Sequence, residues 1–254
     1  ILRANSISIL LKRNGLIEAI FPLIIKKGVY GNVINSLPFF GSNGGILSSN
    51  EEAGITLFKY FIKYIRKFSP LSSTIISNPF ENKISFRGPL HDFRIAQWTD
   101  LTKLNSYGLP ENSDSSVKRN LKKALSNNIK ITQDQNSLFF LKEIHLQNMN
   151  AIGGKIKPDN FFEYIPKFFD YGKEWNLFLA KIDNNPIAAL LTFQCSKTVE
   201  YFMPVTKVEF RNIQPSSLLL HHAMNDAKNK GFFRWNWGGT WLGQEGVYKF
   251  KKKW

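Results

Sequence analysis

Apolar residues along the chain alternate in some stretches and recur at helical spacing in others. Ser6 to Lys12 and Leu16 to Lys27 are β-branched, apolar runs around Arg13-Asn14-Gly15, and Asn-Gly between two such runs predicts a hairpin. A third strand is expected over Val29 to Ile34. Asn35 to Gly45 contains Pro38, Gly41, Gly44 and Gly45 yet keeps Phe39 and Phe40, which predicts a loop with aromatic walls. Asn50 is placed to cap a helix. Glu51 and Glu52 fall in its first turn, and Leu57, Phe58, Phe61, Ile62, Ile65 and Phe68 follow at helical spacing until Ser69-Pro70. Short strands are expected near Thr74 to Ser77 and Phe93 to Trp98.

The same order then returns. Ser113 or Asp114 caps a helix with Val117, Leu121, Ala124 and Leu125 on one face, and Ile129 to Thr132 forms a strand. Helices are expected over Ser137 to Ala151 and Asp159 to Phe169, separated by Gly153-Gly154 and Pro158. Leu177 to Ile182 and Ile187 to Cys195 flank Asp183-Asn184-Asn185-Pro186 as a second hairpin, and Val199 to Met203 follows as a strand. Pro215 stands where a first helical residue belongs, opening Ser216 to Lys230, and Phe232 to Trp237 is the last strand. Residues Ile7 to Gly28 parallel Leu177 to Thr198 in length and turn position, which suggests duplication, with halves at 1–110 and 111–254.

Composition supports folded domains and selects a kind of partner. With 254 residues, 43% hydrophobic and 14% aromatic, the chain can bury a sizeable core, and disorder is excluded. Its 34 Lys and Arg against 19 Asp and Glu give a net charge of +15, which favours nucleic acid, phosphorylated small molecules or an acidic membrane surface. A single cysteine, Cys195, allows no internal disulfide, so a reducing compartment is expected and the thiol is taken to be buried and inert. No run approaches the roughly 18 apolar residues of a membrane span. The first residue is Ile1 rather than Met, so a preceding leader is not excluded.

The common catalytic signatures do not occur: no Walker loop, nucleophile elbow, dinucleotide fingerprint or Cys-His metal spacing, and no metal is expected. His221 and His222 are adjacent on a helix and point about 100° apart, a poor arrangement for sharing a metal. His91 and His145 are candidate general bases, set against the ordinary structural role of lone histidines. Two stretches carry more. In Arg211-Asn212-Ile213-Gln214-Pro215-Ser216-Ser217, a helix start offers free amides beside two hydroxyls and an arginine, suited to phosphate or carboxylate or simply a Ser-capped helix. In Trp235-Asn236-Trp237-Gly238-Gly239-Thr240, followed by Lys249 to Lys253, two indoles, two glycines and a lysine cluster form one strand-to-helix stretch. It is either a tryptophan-rich core strand or one wall of a site.

Together these pieces resemble a known family. The order hairpin, strand, loop, helix, strand is similar to the GNAT acyltransferase core. Two such cores in one chain resemble the FemAB aminoacyl and peptidyl-bridge transferases and their GNAT-like relatives in peptidoglycan, polysaccharide and other cell-envelope pathways. The likeness rests on Leu37 to Gly45, Lys118 to Ala124, Gln214 to Leu219, and Trp235 to Thr240 leading to Phe250-Lys251. It implies an α+β fold of two tandem GNAT-like mixed-sheet halves with flanking helices, the second half carrying the catalytic motif.

The resemblance also implies acyl transfer to an amine. The family's Phe-Lys pair is matched by Phe250 and Lys251, with the lysine stabilising an oxyanion, and neighbouring lysines 249, 252 and 253 leave the register open. Glu200 or Tyr201 is the expected proton acceptor. Substrate-binding positions are Phe40, Asn43, Gly44 and Gly45 in the first half, and Arg211, Gln214, Ser216, Ser217, Trp237, Gly238, Gly239 and Thr240 in the second. Trp235 to Thr240 is expected to be the counterpart of the Asn43-Gly44-Gly45 loop across one groove.

The glycine-rich pyrophosphate loop of simple GNAT enzymes is absent, with Gln214 to Ser217 in its place, so no cofactor is expected to stay bound. The donor is an aminoacyl-tRNA or an acyl thioester such as acyl-CoA. Lys118, Arg119, Lys122 and Lys123 would track the phosphates of tRNA, although the helical arm of FemAB proteins has no counterpart. The acceptor implied is an anionic, amine-bearing envelope or sugar-nucleotide precursor, free or lipid-linked, which places the protein in the cytoplasm or at the inner membrane face. The alternative is a non-enzymatic RNA- or envelope-binding module built on the basic helix and exposed aromatics.

Overall fold

The computed structural model of the chain describes residues 3–37, 42–77 and 92–254. The chain divides into two compact units, Leu2–Phe93 and Arg94–Trp254.

In the first unit β1 (Asn5–Arg13) and β2 (Leu16–Gly28) form the expected antiparallel hairpin, and β3 (Gly31–Asn35) pairs antiparallel with β2. The short β4 (Leu47–Ser48) also pairs with β2. Helix α1 (Glu51–Ile65) follows, and β5 (Pro70–Thr74) returns parallel to β3. Asn50 caps α1, its Oδ1 accepting from Ala53 N at 2.8 Å, which satisfies one of the amides a helix start leaves open. Ala19, Phe21, Leu23 and Ile25 alternate inward along β2 and meet Ala53, Leu57, Phe61 and Ile65 of α1 in one core. Two boundaries differ from the sequence reading. Val29 and Tyr30 form the turn between β2 and β3 instead of opening the third strand. The chain becomes extended again at Pro70, because the turn after α1 ends in a left-handed Ser69.

The second unit opens with β6 (Arg94–Asp100), then α2 (Ser115–Ser126), β7 (Lys130–Gln133), α3 (Leu138–Ala151) and α4 (Asp159–Phe168). It continues with β8 (Trp175–Ile182), β9 (Asn185–Cys195), β10 (Thr198–Thr206), α5 (Pro215–Asn229), β11 (Arg234–Trp241) and α6 (Glu245–Lys252). The strands form one sheet in the order β6-β11-β10-β9-β8-β7. Trp175 to Ala180 and Ile187 to Thr192 are buried without alternation, as expected of strands covered on both faces. On one face Phe178, Ala188, Leu190, Val199 and Trp235 pack with Val117 and Leu121 of α2 and Leu219, Leu220 and Met224 of α5. Helix α3 covers the other face at β9 and β10.

The repeated order seen in the sequence is realised as repeated topology. β1-β2-β3 and β8-β9-β10 are both antiparallel meanders, and a helical crossover then leads to a strand parallel to the third, β5 in one unit and β11 in the other. The tandem α+β architecture of two mixed sheets with flanking helices is therefore present. Three readings change. β6, placed before the expected boundary at residue 110, pairs antiparallel with β11 and so belongs to the second unit. Trp235 to Thr240 is a strand whose topological counterpart is β5, not the Asn43-Gly44-Gly45 loop. Cys195 is exposed, because it is the last residue of β9 before a tight turn through left-handed Ser196.

Candidate active site

The ladder between β10 and β11 is short. It pairs Thr198 with Arg234, Val199 with Trp235 and Glu200 with Asn236, and no pair follows, so the two strands part beyond Glu200 and Asn236. On its other side β11 breaks register against β6 between Asn236 and Gly239, and Gly238 has φ +69°, a left-handed conformation that favours glycine. The two glycines that stood out in the sequence thus shape a bulge at the mouth of a fork between parallel strands.

Polar side chains gather at this fork. Asn236 Nδ2 donates to Glu200 Oε2 at 2.7 Å, and Asn236 Oδ1 accepts from Gly238 N at 3.0 Å. Lys251 Nζ donates to Thr240 Oγ1 at 2.8 Å and lies 3.5 Å from Gly238 O. The neighbouring lysines differ in burial: Lys251 is only 7% exposed, Lys253 is half-buried, and Lys249 and Lys252 are exposed. Burial removes water from the ammonium and pushes its pKa down to about 8, while the Glu200 carboxylate pulls it back up. At neutral pH this leaves a largely protonated, poorly solvated cation beside the fork.

Helix α6 is held in place by contacts with β6 and the α2 cap. Thr99 Oγ1 donates to Trp254 O and accepts from Trp237 Nε1, each at 3.0 Å. Gln97 Nε2 reaches Tyr248 O at 3.4 Å, and Asp114 N donates to Lys253 O at 2.9 Å. The Phe250 ring is 6.3 Å from Trp237, edge to face. An open cleft of about 440 Å³ borders the same residues, with Gln97, Trp98, Asp100, Lys103, Trp237 and Lys251 in its walls.

Other expected residues lie away from the Lys251–Thr240 pair or have partners of their own. Tyr201 is next to Glu200 on β10 and points to the opposite face. Its ring packs on Trp237 at 5.0 Å and Trp235 at 6.3 Å, and burial pushes its phenol well above the usual range. At the start of α5, Ser216 Oγ shares a 2.8 Å hydrogen bond with Thr206 Oγ1, Ser217 is buried, and left-handed Gln214 bonds Arg211 O. Arg211 is exposed and donates to Asn148 Oδ1 at 2.9 Å. Lys118, Arg119, Lys122 and Lys123 form the exposed face of α2. In the first unit, Gly44 N donates to Ile76 O at 3.1 Å, and a Cβ on Gly44 would collide with the Ser36 carbonyl. Gly44 is thus needed for packing between loops. Phe40 and the candidate base His91 lie outside the described residues. His145 is buried and accepts from Lys157 N through Nε2 at 3.2 Å, and desolvation lowers its pKa, so it is a structural neutral histidine. His221 bonds Tyr107 O at 2.9 Å.

Sequence reasoning missed Asn236, Thr99 and Gln97. Asn236 carried a signal: an amide between two buried indoles in a core strand requires polar partners.

The family model described as Acetyltransferase (GNAT) domain matches residues 115–252, more than half of the chain and all of the fork. The chain belongs to the GNAT acyltransferase family. Solved structures extend the likeness in fold to nearly the whole chain. FemX aligns with a TM-score of 0.76 at 14% identity, covering 99% of this chain and 85% of that one. The C-terminal domain of a putative lysylphosphatidylglycerol synthetase from Agrobacterium fabrum aligns at 0.61 and 11% identity, covering 98% and 74%. A conserved protein of unknown function from Bacteroides thetaiotaomicron also aligns at 0.61, with 8% identity, covering 92% and 78%. No curated protein matches the chain significantly. This GNAT protein is an acyltransferase of FemAB-like architecture. Among its described residues, no helix is long and apolar enough to cross a membrane and no cluster of three metal-ligating side chains is found.

Proposed function

We propose that the protein transfers an acyl or aminoacyl group from an aminoacyl-tRNA or an acyl thioester to an amine of an anionic cell-envelope or sugar-nucleotide precursor. The observation that carries this reading is the buried Lys251 ammonium held by Thr240 at the parted strands. The acceptor amine attacks the donor carbonyl carbon, a C–N bond forms, and negative charge collects on the carbonyl oxygen. Lys251 holds that oxyanion, and its poor solvation strengthens the interaction. Glu200, fixed by Asn236, accepts the proton released from the attacking nitrogen. The C–O or C–S bond to the donor then breaks, and the leaving oxygen or sulfur takes up a proton.

The Phe250 and Trp237 rings would wall the carbonyl site, and Gly238, Gly239 and Thr240 would line the approach. Arg211 and Gln214 would meet the anionic part of a donor near the α5 start. The exposed cations of α2 favour a polyanionic donor, with tRNA phosphates as the natural match. The same face supports the second reading, a module that binds RNA without turnover.

The test is mass spectrometry of products after incubation with charged tRNA or acyl-CoA and amine-bearing sugars. Lys251→Ala should lower turnover by about 10²–10³. Full turnover by that variant would remove Lys251 from the mechanism. Salt-titrated tRNA binding separates the donors: no affinity at low salt leaves the thioester.

A further inference from the structure

The turn between β2 and β3 is made by the wrong residues for a solvated hairpin. Among the described residues the other two-residue hairpin turns use Asn14-Gly15, Asp183-Asn184 and Ser196-Lys197, all polar or glycine, each with at least one residue at positive φ. Between β2 and β3 the turn is Val29-Tyr30, flanked by Gly28 and Gly31, which pair with each other. Val29 is 95% exposed and Tyr30 89%, so neither contributes to the core. Leu71, 63% exposed, stands beside them, because a Cβ on Gly31 would lie 3.2 Å from Leu71 Cβ. Three apolar or aromatic side chains therefore protrude together at one end of the first unit.

Cations surround this tip. Lys26 and Lys27 are exposed on β2 just before it. Asn32 ties the base of the tip to the end of α1, donating from its side chain to Phe68 O and from its backbone to Ser69 O, which brings exposed Lys63, Arg66 and Lys67 to the same end. The carboxylates Glu18 and Glu52 lie at the other end, where both pair with Arg13. Glu18 is ten residues before Gly28 on β2, about 33 Å along an extended strand. Five exposed cations thus sit at the apolar tip, with the Glu18 and Glu52 carboxylates away from it.

We infer that the Val29-Tyr30 tip docks the protein on an anionic lipid bilayer. Val29, Tyr30 and Leu71 enter the boundary between headgroups and acyl chains, and Lys26, Lys27, Lys63, Arg66 and Lys67 meet the lipid phosphates. Tyrosine suits that depth, with an apolar ring and a hydroxyl that stays in the headgroup layer. A polyanion such as RNA would account for the cations but not for an exposed valine and leucine at the centre of the ring. The inference does not depend on acyl transfer, since docking needs neither donor nor acceptor.

Flotation of the full chain with phosphatidylcholine vesicles, with and without phosphatidylglycerol, tests it. The full chain should float with the anionic vesicles and not with the neutral ones, and added salt should release it. Val29→Ser with Tyr30→Ser should weaken binding at least about tenfold with an unchanged thermal melt, since both side chains are exposed. Lys26→Gln with Lys27→Gln should do the same through charge alone, at about fivefold per lysine. Failure to bind anionic vesicles overturns the inference, as does undiminished binding by both double variants. A tip variant that loses RNA binding and keeps vesicle binding overturns it as well.

Discussion

Lys251 Nζ donates to Thr240 Oγ1 at 2.8 Å, one residue coming from the last helix and the other from the strand that lines the fork. The hydrogen bond supports the charged form of an ammonium that burial otherwise disfavours. Thr240→Val removes this support and should lower the Lys251 pKa below its present value of about 8. An oxyanion-holding lysine must be protonated, so the rate of the wild type should fall as pH rises through about 8. The descending limb should move to lower pH in Thr240→Val. A pH–rate profile of both proteins checks this, and an unmoved limb would dissociate Lys251 from the rate.

The same lysine links stability to pH. Its folded pKa lies near 8 and its unfolded value at 10.5, so between these values the unfolded chain binds more protons. Stability from this group is lowest below pH 8 and rises as pH increases towards 10.5. Lys251→Met replaces the cation with an apolar chain of similar length and removes the dependence. Urea unfolding should show the wild type gaining on Lys251→Met across this window, by on the order of 3 kcal/mol. Lys157, also pushed down to about 8 by burial, is present in both proteins and cancels in the difference.

Asn236 joins Glu200 to the Gly238 amide. Asn236→Ala should leave both groups short of a partner and cost about 1–3 kcal/mol of stability. Activity should fall further than stability explains, because Glu200 loses its orientation. Asn236→Asp sets a second carboxylate against Glu200 and should raise the pH at which the ascending limb of the rate profile appears. Chemical denaturation and the pH profile together check both outcomes.

Gly44 gives a prediction of the opposite kind. Its lost hydrogen is replaced in Gly44→Ala by a methyl group aimed at the Ser36 carbonyl, so the variant should be destabilised by about 1–3 kcal/mol. A thermal melt measures this. An unaltered melt with altered substrate affinity would instead return Gly44 to the ligand-contacting role that the sequence suggested.

Much of this fold follows from local order alone. Asn14-Gly15, the Asn50 cap and Pro215 each mark an element boundary by a backbone requirement that only a few residues meet, and the structure places a turn, a cap and a helix start there. The Phe250-Lys251 pair was legible as chemistry because of its resemblance to a family motif. Which lysine is buried was not legible, since four lysines within five residues differ only in the face of α6 they occupy. The meeting of Glu200 with Asn236, and of Thr240 with Lys251, depends on where a parallel ladder stops and a bulge begins. Parallel pairing joins segments far apart in sequence, and no local spacing encodes its length. The assignment of Val29-Tyr30 to a turn also came only from the pairing of Gly28 with Gly31. The sequence by itself therefore determined the elements, their order and their repetition, through backbone preference and hydrophobic period. Tertiary structure alone decided which polar side chains meet at the fork, because desolvation and strand separation are properties of the packed sheet.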